Sequence, residues 1–331
     1  MTPPSVDLAA HGFPLQPFDA LLASLGWPDR EAWIVHWQAR GGAQLAREGW
    51  STAPSEEWIW GLALPLLSQI EALCREPSPS VLGLSAIPAT GKTTLCRWLR
   101  AAAAELGLAL ETISIDDFYF ASPQLDHCLA GNPWGVGRAL PGSHELDRLL
   151  GTLEAWKQGR PVMVPVFDKT LRGGRGDRAG ERRIAGRVLL LEGWFLGVPA
   201  TLPQPSPGRR ITAEPSQQGR PGEPAAGVPA PSPPLSAAEE AYGAVVLERL
   251  QAYGPVWEAI DRLWRIRPRD FAATALWKRQ QTSFTLAAPE AERFVRMILC
   301  CLPAGHWQRI PAAVVADIDA MRRLHRIGPV P

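Results

Sequence analysis

Cysteine is scarce in this chain, net charge is almost nil and long apolar runs are missing. Each shortage narrows what the chain can do. The five cysteines (Cys74, Cys96, Cys128, Cys300, Cys301) are odd in number and form no C-x-x-C pair. That pattern speaks against a disulfide framework and against a cysteine-held zinc, and it fits reduced, packed thiols in the cytoplasm. The formal net charge is +1, so no broad basic surface argues for nucleic acid. No apolar stretch approaches the ~20 residues of a membrane span. The first residues, Met1-Thr-Pro-Pro-Ser-Val-Asp7, have neither a basic n-region nor an Arg-rich transit character. Nucleic-acid and membrane partners are therefore not expected, and oligomeric state is left open. Hydrophobic residues make up 46% and charged ones 20% of the 331, ordinary values for a globular protein of one large domain or two smaller ones. Tryptophan is plentiful: six of the fourteen lie between Trp27 and Trp60 and read as core and groove fillers.

The most informative stretch is Val81 to Leu95, reading VLGLSAIPATGKTTL. Val81, Leu82 and Leu84 form the short apolar run of a buried parallel strand. From Lys92 onward, Leu95, Leu99, Ala102, Ala103 and Leu106 recur at helical spacing. Gly91-Lys92-Thr93-Thr94 lies between strand and helix. A triphosphate needs inward backbone N–H groups, a helix N-terminus, a lysine on its outer oxygens and a hydroxyl on Mg²⁺. Lys92 and Thr93 supply the last two, and the nucleotide-binding residues are read as Ala86, Pro88, Ala89, Thr90, Gly91, Lys92, Thr93 and Thr94. The pattern G-x-x-x-x-G-K-[ST] wants glycine where Ala86 stands.

The rest of the pattern predicts an α/β fold, a parallel sheet flanked by helices. An N-terminal helical segment spans 1–78, with Leu62, Leu66, Ile70 and Leu73 at helical spacing. A second domain spans 79–331. Strands are expected at Leu108–Ile115, Val188–Leu191 and Leu263–Ile266, with a short extended piece at Val162–Phe167. Helices are expected at Glu145–Trp156, Glu239–Trp257, Ala272–Gln281 and Glu290–Leu299. Ala312–Ile318 reads equally as strand or helix. Residues 199–237 interrupt the pattern: eleven of the 33 prolines fall between Pro199 and Pro234, and no aromatic residue occurs from Leu196 to Ala241. Such a composition buries too little apolar surface to offset its ordering entropy, so a disordered or extended insert is expected. Its deletion should then change neither stability nor activity.

Phosphoryl transfer also needs a base beside the acceptor hydroxyl and cations over the moving group. Ser114-Ile-Asp116-Asp117-Phe-Tyr119 closes the second strand, at the sheet edge where ligands of open α/β sheets bind. Its two carboxylates are candidates for base and metal-side acid. Glu192 follows the apolar strand Leu189–Leu191 in the same way. Arg172-Gly-Gly-Arg175-Gly176-Asp177-Arg178 is a flexible basic loop that suits an anion, though a merely solvated loop reads as well.

In order, Gly91-Lys-Thr-Thr, Ser114-Ile-Asp-Asp-Phe-Tyr119, Arg138-Ala-Leu-Pro-Gly-Ser-His144-Glu, Pro165-Val-Phe-Asp168-Lys169, Gly174-Arg-Gly-Asp-Arg178 and Leu191-Glu-Gly-Trp-Phe-Leu-Gly197 resemble the D-glycerate 3-kinases of plants and cyanobacteria. These belong to the P-loop kinase group of phosphoribulokinase, uridine kinase and pantothenate kinase. The resemblance covers about 80–200 strongly and 240–331 more weakly. It implies a P-loop kinase fold using ATP and Mg²⁺, with Asp116 as general base and Thr93, Glu192 and Asp117 on the metal side. It further implies Arg138, His144, Asp168 and Arg178 around a small acceptor, and Tyr119 and Arg175 are read as substrate-binding beside them. The chain departs from the family at Ala89, usually glycine, and at Phe167, usually tyrosine. It departs again at Trp277-Lys278-Arg279-Gln280-Gln281-Thr282, where the family has Trp-Arg-x-x-Gln-Glu. Either Lys278 or the neighbouring Arg279 then stands in for the family's lid arginine as a catalytic cation over the phosphates, or the lid is weakened. D-Glycerate is the first expectation for the acceptor. The alternatives are another small alcohol (a sugar, a nucleoside or a pantothenate-like compound) or a nucleotide-binding regulator with little catalysis.

Overall fold

A computed structural model describes residues 6, 8–50, 53–201, 233–280, 288–302, 306, 307 and 309–330. Among the described residues, eight strands form two sheets. The larger holds β1 (Ser80–Ala86), β2 (Leu110–Ser114), β5 (Val188–Gly193), β6 (Arg262–Pro268), β7 (Val314–Ile318) and β8 (Leu324–Pro329), in the order β2-β5-β1-β6-β7-β8. All its pairs are parallel except β7 with β8. A separate antiparallel hairpin joins β3 (Val162–Asp168) to β4 (Asp177–Ile184).

Covered on both faces, β1 and β5 are mostly apolar, and β5 is buried at every position, Glu192 at its end included. Helix Lys92–Glu105 packs on β2 and β5, and Leu146–Lys157 packs on β1 and β3. In register, Leu84 of β1 lies beside Glu192 of β5, and Ser114 of β2 lies beside Glu192 on its other side. This puts the end of β5 between the phosphate loop and the Asp116 turn.

The N-terminal helices Leu15–Ser24, Arg30–Gln38 and Leu64–Arg75 share one continuous core with the sheet. Trp33 and Trp37 are wholly buried, and both indole N–H groups donate to Ser68 Oγ at 2.9 Å. Each buried indole removes about 150–250 Å² from water, worth roughly 4–6 kcal/mol of transfer free energy. Gly61 sits where a Cβ would meet Leu324 of β8 at 2.4 Å, so the segment closes tightly on the edge strand.

The expected insert falls outside the described residues over 202–232; its flanks do not. His306 Nδ1 lies 2.6 Å from the Pro199 carbonyl and so carries the donated proton. Arg296 donates to the carbonyls of Pro233 and Pro234 at 2.5 and 3.0 Å and pairs with buried Glu239 at 2.8 Å. Glu239 also closes a capping box with Ser236, which starts helix Ala237–Leu250.

Candidate active site

β1 hands the chain to the phosphate loop, and the loop hands it to helix Lys92–Glu105. Ala86 ends β1, buried. Thr90, also buried, donates its hydroxyl to the Ile87 carbonyl and ties the loop to itself. Ala89 stands at φ +64° and Gly91 at φ +107°. The left-handed region suits glycine, so Ala89 carries strain of order 1 kcal/mol that a glycine there would avoid. No side chain caps the helix at Gly91, so its first N–H groups are left for an anion. Lys92 is buried, with Nζ 3.2 Å from the Ile87 carbonyl. Burial pulls its ammonium below the usual lysine range, although Glu192 and Asp116 oppose the shift. The Thr93 hydroxyl donates to Glu192 Oε1 at 3.2 Å. Such an arrangement fits a phosphate chain with its cation: uncapped amides, a desolvated ammonium, and a hydroxyl backed by a carboxylate.

Opposite the loop stands Asp116. Tyr119 Oη donates to its Oδ1 at 2.7 Å and Lys169 Nζ to its Oδ2 at 2.6 Å. Burial alone would push this carboxyl up. The Lys169 charge and the two hydrogen bonds outweigh that and hold it well below the usual carboxylate range. Sequence reasoning gave Lys169 no role. The signal was available, since Lys169 ends the Pro165–Lys169 block, but the hairpin that aims it at Asp116 was not foreseen.

These groups line one cleft of about 90 Å³ together with Pro88, Ala89, Arg138 and Lys278. Lys278, not Arg279, occupies the cleft: Arg279 is exposed on the same helix, Ala273–Gln280. The Lys278 ammonium lies 4.6 Å from the Phe294 ring centre. Burial, together with Lys169 and Arg138 nearby, pulls it down to about 8.

Other expected residues fall elsewhere. Asp117 turns back to the chain: its Oδ2 accepts from Ser114 N–H at 3.1 Å and its Oδ1 from Phe167 N–H at 3.4 Å. It caps the turn Ile115–Phe118 and is not placed for a metal. Asp168 accepts from the Thr170 N–H and hydroxyl at 2.8 and 2.7 Å, closing a local turn. Arg175 pairs with Asp126 at 2.9 Å, and Arg178 with Glu145 at 3.1 Å while donating to the Tyr119 carbonyl at 2.5 Å. Neither lines the cleft. The Gly174–Arg178 block is a brace. Asp177 accepts from the Ser122 N–H and hydroxyl at 3.0 and 2.6 Å, and a Cβ at Gly176 would meet the Phe167 ring at 2.3 Å. The block thus fastens the hairpin to the Asp116 turn. Arg138 remains in the cleft, its Nη1 fixed by the carbonyls of Gly174 and Arg175 at 2.6 and 2.9 Å.

His144 lies just behind. Its ring stacks on Tyr119 at 4.5 Å, and burial holds it down at about 4, so it is neutral at pH 7. Gly142 N–H donates to Tyr253 Oη at 2.9 Å, and that hydroxyl lies 2.6 Å from His144 Nδ1. The other ring nitrogen, Nε2, is buried with no hydrogen-bond partner among the described residues. Among those residues, no three His, Cys, Asp or Glu side chains gather as a metal cluster, and no helix is long and apolar enough to cross a membrane.

No family model matches the chain. Over an alignment of 131 residues, which takes in 36% of the chain, it is 37% identical to a chloroplastic D-glycerate 3-kinase of Arabidopsis thaliana and covers 29% of that protein. Over an alignment of 133 residues, which takes in 37% of the chain, it is 30% identical to an uncharacterized kinase of Schizosaccharomyces pombe and covers 48% of it. The chain thus spans less than half the length of these curated relatives. Among solved structures, a D-glycerate 3-kinase from Cryptococcus neoformans superposes with a TM-score of 0.56 at 19% identity, over 82% of this chain and 97% of that one. The strand order, the uncapped phosphate loop and these likenesses agree: the chain has the P-loop kinase fold of the group that includes the D-glycerate 3-kinases.

Proposed function

We propose that the chain is an ATP- and Mg²⁺-dependent kinase that phosphorylates a small hydroxylated acid, D-glycerate giving 3-phosphoglycerate. The observation that carries it is the single cleft in which Lys92, Thr93 and Glu192 face Asp116, Lys169 and Arg138. Thr93, with Glu192 behind it, would hold Mg²⁺, which neutralises charge on the transferring phosphates. Lys92 and the uncapped helix N-terminus hold the phosphate chain. Arg138 grips the acceptor carboxylate with a planar fork and turns one hydroxyl toward Asp116. A carboxylate oxygen has two acceptor sites, so Asp116 can take the hydroxyl proton while Tyr119 and Lys169 stay bonded. Lys278 adds charge over the moving group. Small size and free cysteines, with no spanning helix among the described residues, accord with a place in the cytoplasm.

A second cavity of about 380 Å³ adjoins the cleft and shares Arg138 and Phe294 with it. That volume favours one rival, the same chemistry on a larger anionic alcohol. Coupled assays with ATP and a panel of acceptors separate the two. D-Glycerate should turn over best, and Arg138→Lys should raise KM for glycerate at least about tenfold while leaving KM for ATP within about twofold. Faster turnover of a sugar phosphate or nucleoside would overturn the acceptor and leave the kinase standing. ATP hydrolysis that no acceptor stimulates would favour a regulator.

Lys278 gives a second test. Bound phosphates raise its pKa from about 8, so nucleotide binding takes up a proton above that pH. Affinity for ATP should therefore fall, by at most about tenfold per pH unit, as pH rises through that value. In Lys278→Arg the guanidinium stays charged and the fall should vanish. Calorimetric titration between roughly pH 7 and 9.5 reads this, and parallel profiles for the two proteins would show that Lys278 does not meet the phosphates.

A further inference from the structure

We infer that Arg322, on the turn between β7 and β8, is a positioning residue of the phosphate loop and links it to the helix that carries Lys278. The inference rests on the nucleotide reading above. Arg322 Nη2 donates to the Ala89 carbonyl at 3.1 Å, and Nη1 donates to Gln280 Oε1 at 2.8 Å. Its guanidinium carbon lies 5.3 Å from the Trp277 ring centre. One fork thus reaches both the phosphate loop and helix Ala273–Gln280.

The turn itself is held from two directions. Trp277 Nε1 donates to the Ala320 carbonyl at 2.7 Å, and Trp58 Nε1 donates to the Arg322 carbonyl. Glu57 Oε1 accepts from Leu324 N–H at 2.8 Å. Arg322 is at φ +61°, a conformation a bulky residue keeps only where its surroundings impose it.

Arg322 grips the one loop residue whose conformation is strained, Ala89 at φ +64°. A trans peptide is planar, so fixing the Ala89 carbonyl fixes the whole 89–90 peptide plane and the backbone leading into Gly91 and Lys92. The chain keeps an alanine in this left-handed conformation and holds the loop from outside. Loss of the grip should let the loop relax out of its phosphate-binding shape and loosen the Lys278 helix.

The test is nucleotide affinity by calorimetry on the full chain, with melting temperature and steady-state constants measured beside it. Arg322→Ala should weaken ATP binding about tenfold and raise KM for ATP, with KM for the acceptor within about twofold. Arg322→Lys should recover only part of the affinity, because lysine cannot span both partners. Introducing Ala89→Gly should restore most of the loss in Arg322→Ala, since glycine holds that conformation without strain. Wild-type affinity in folded Arg322→Ala, full recovery by lysine, or no rescue by glycine each overturns the inference. If Arg322→Ala unfolds, Gln280→Ala reads the same link, and unchanged affinity there overturns it. Failure of the wild-type protein to bind ATP would instead remove the nucleotide reading.

Discussion

Lys92→Ala should abolish turnover and leave the fold intact. A buried ammonium that donates to the Ile87 carbonyl at a long 3.2 Å contributes little to stability. The sign follows from its pKa, which burial lowers. The folded protein disfavours the charged form, so at neutral pH the ammonium costs stability that its removal gives back, partly offset by the cavity left behind. Melting temperature should therefore hold or shift by only a few degrees. The effect on catalysis should be far larger. Removing one preorganised group that stabilises transition-state charge costs ~10²–10³ in kcat, and here the same group also anchors the nucleotide. Calorimetric binding of ATP and a coupled assay, read beside a thermal melt, decide it. A folded Lys92→Ala protein with wild-type turnover would remove the phosphate-loop assignment.

Asp116→Asn should lower kcat by ~10²–10⁴, the range for loss of a positioned base, without weakening ATP binding. The second half of that expectation is the sharper one. Asp116 is the counter-charge of Lys169 at 2.6 Å, in a cleft that also holds Lys92, Lys278 and Arg138. Neutralising it makes the cleft more positive, so a polyanion should bind as well or better. Asp117→Asn should be mild in turnover and act on stability, because that carboxylate serves backbone N–H groups. Crippled turnover in Asp117→Asn with a mild Asp116→Asn would mean the two roles are exchanged.

Much of this site is visible in the chain as written. The strand–loop–helix unit is legible because a buried parallel strand is a short apolar run, and because Lys92–Glu105 repeats its apolar residues at helical spacing. The ends of β2 and β5 are legible for the same reason, and with them Asp116 and Glu192. The hairpin is not. β4, Asp-Arg-Ala-Gly-Glu-Arg-Arg-Ile, is mostly exposed and carries no apolar alternation, so its pattern is that of a solvated loop. Missing β4 hid Lys169 and hid the brace that Asp177 and Arg178 make, while Arg175 lines the adjoining cavity. The ambiguous apolar run before Ile318 becomes β7, a strand buried at every position because β6 and β8 flank it. Asp116 and Asp117, adjacent in sequence, part company only in three dimensions: one meets Lys169, the other closes its own turn. Arg322 is 233 residues from the carbonyl it holds, a distance over which no local pattern carries information.

The two ends of the proline-rich connection meet the same stretch of chain. His306 holds Pro199, and Arg296 holds Pro233 and Pro234. The connection joins two halves of a sheet that is already zipped, β1 against β6, and the cleft draws Lys92, Asp116 and Lys169 from the first half and Lys278 from the second. Both anchors lie on the half that brings Lys278, so what the cleft asks of the connection is the placing of its two ends.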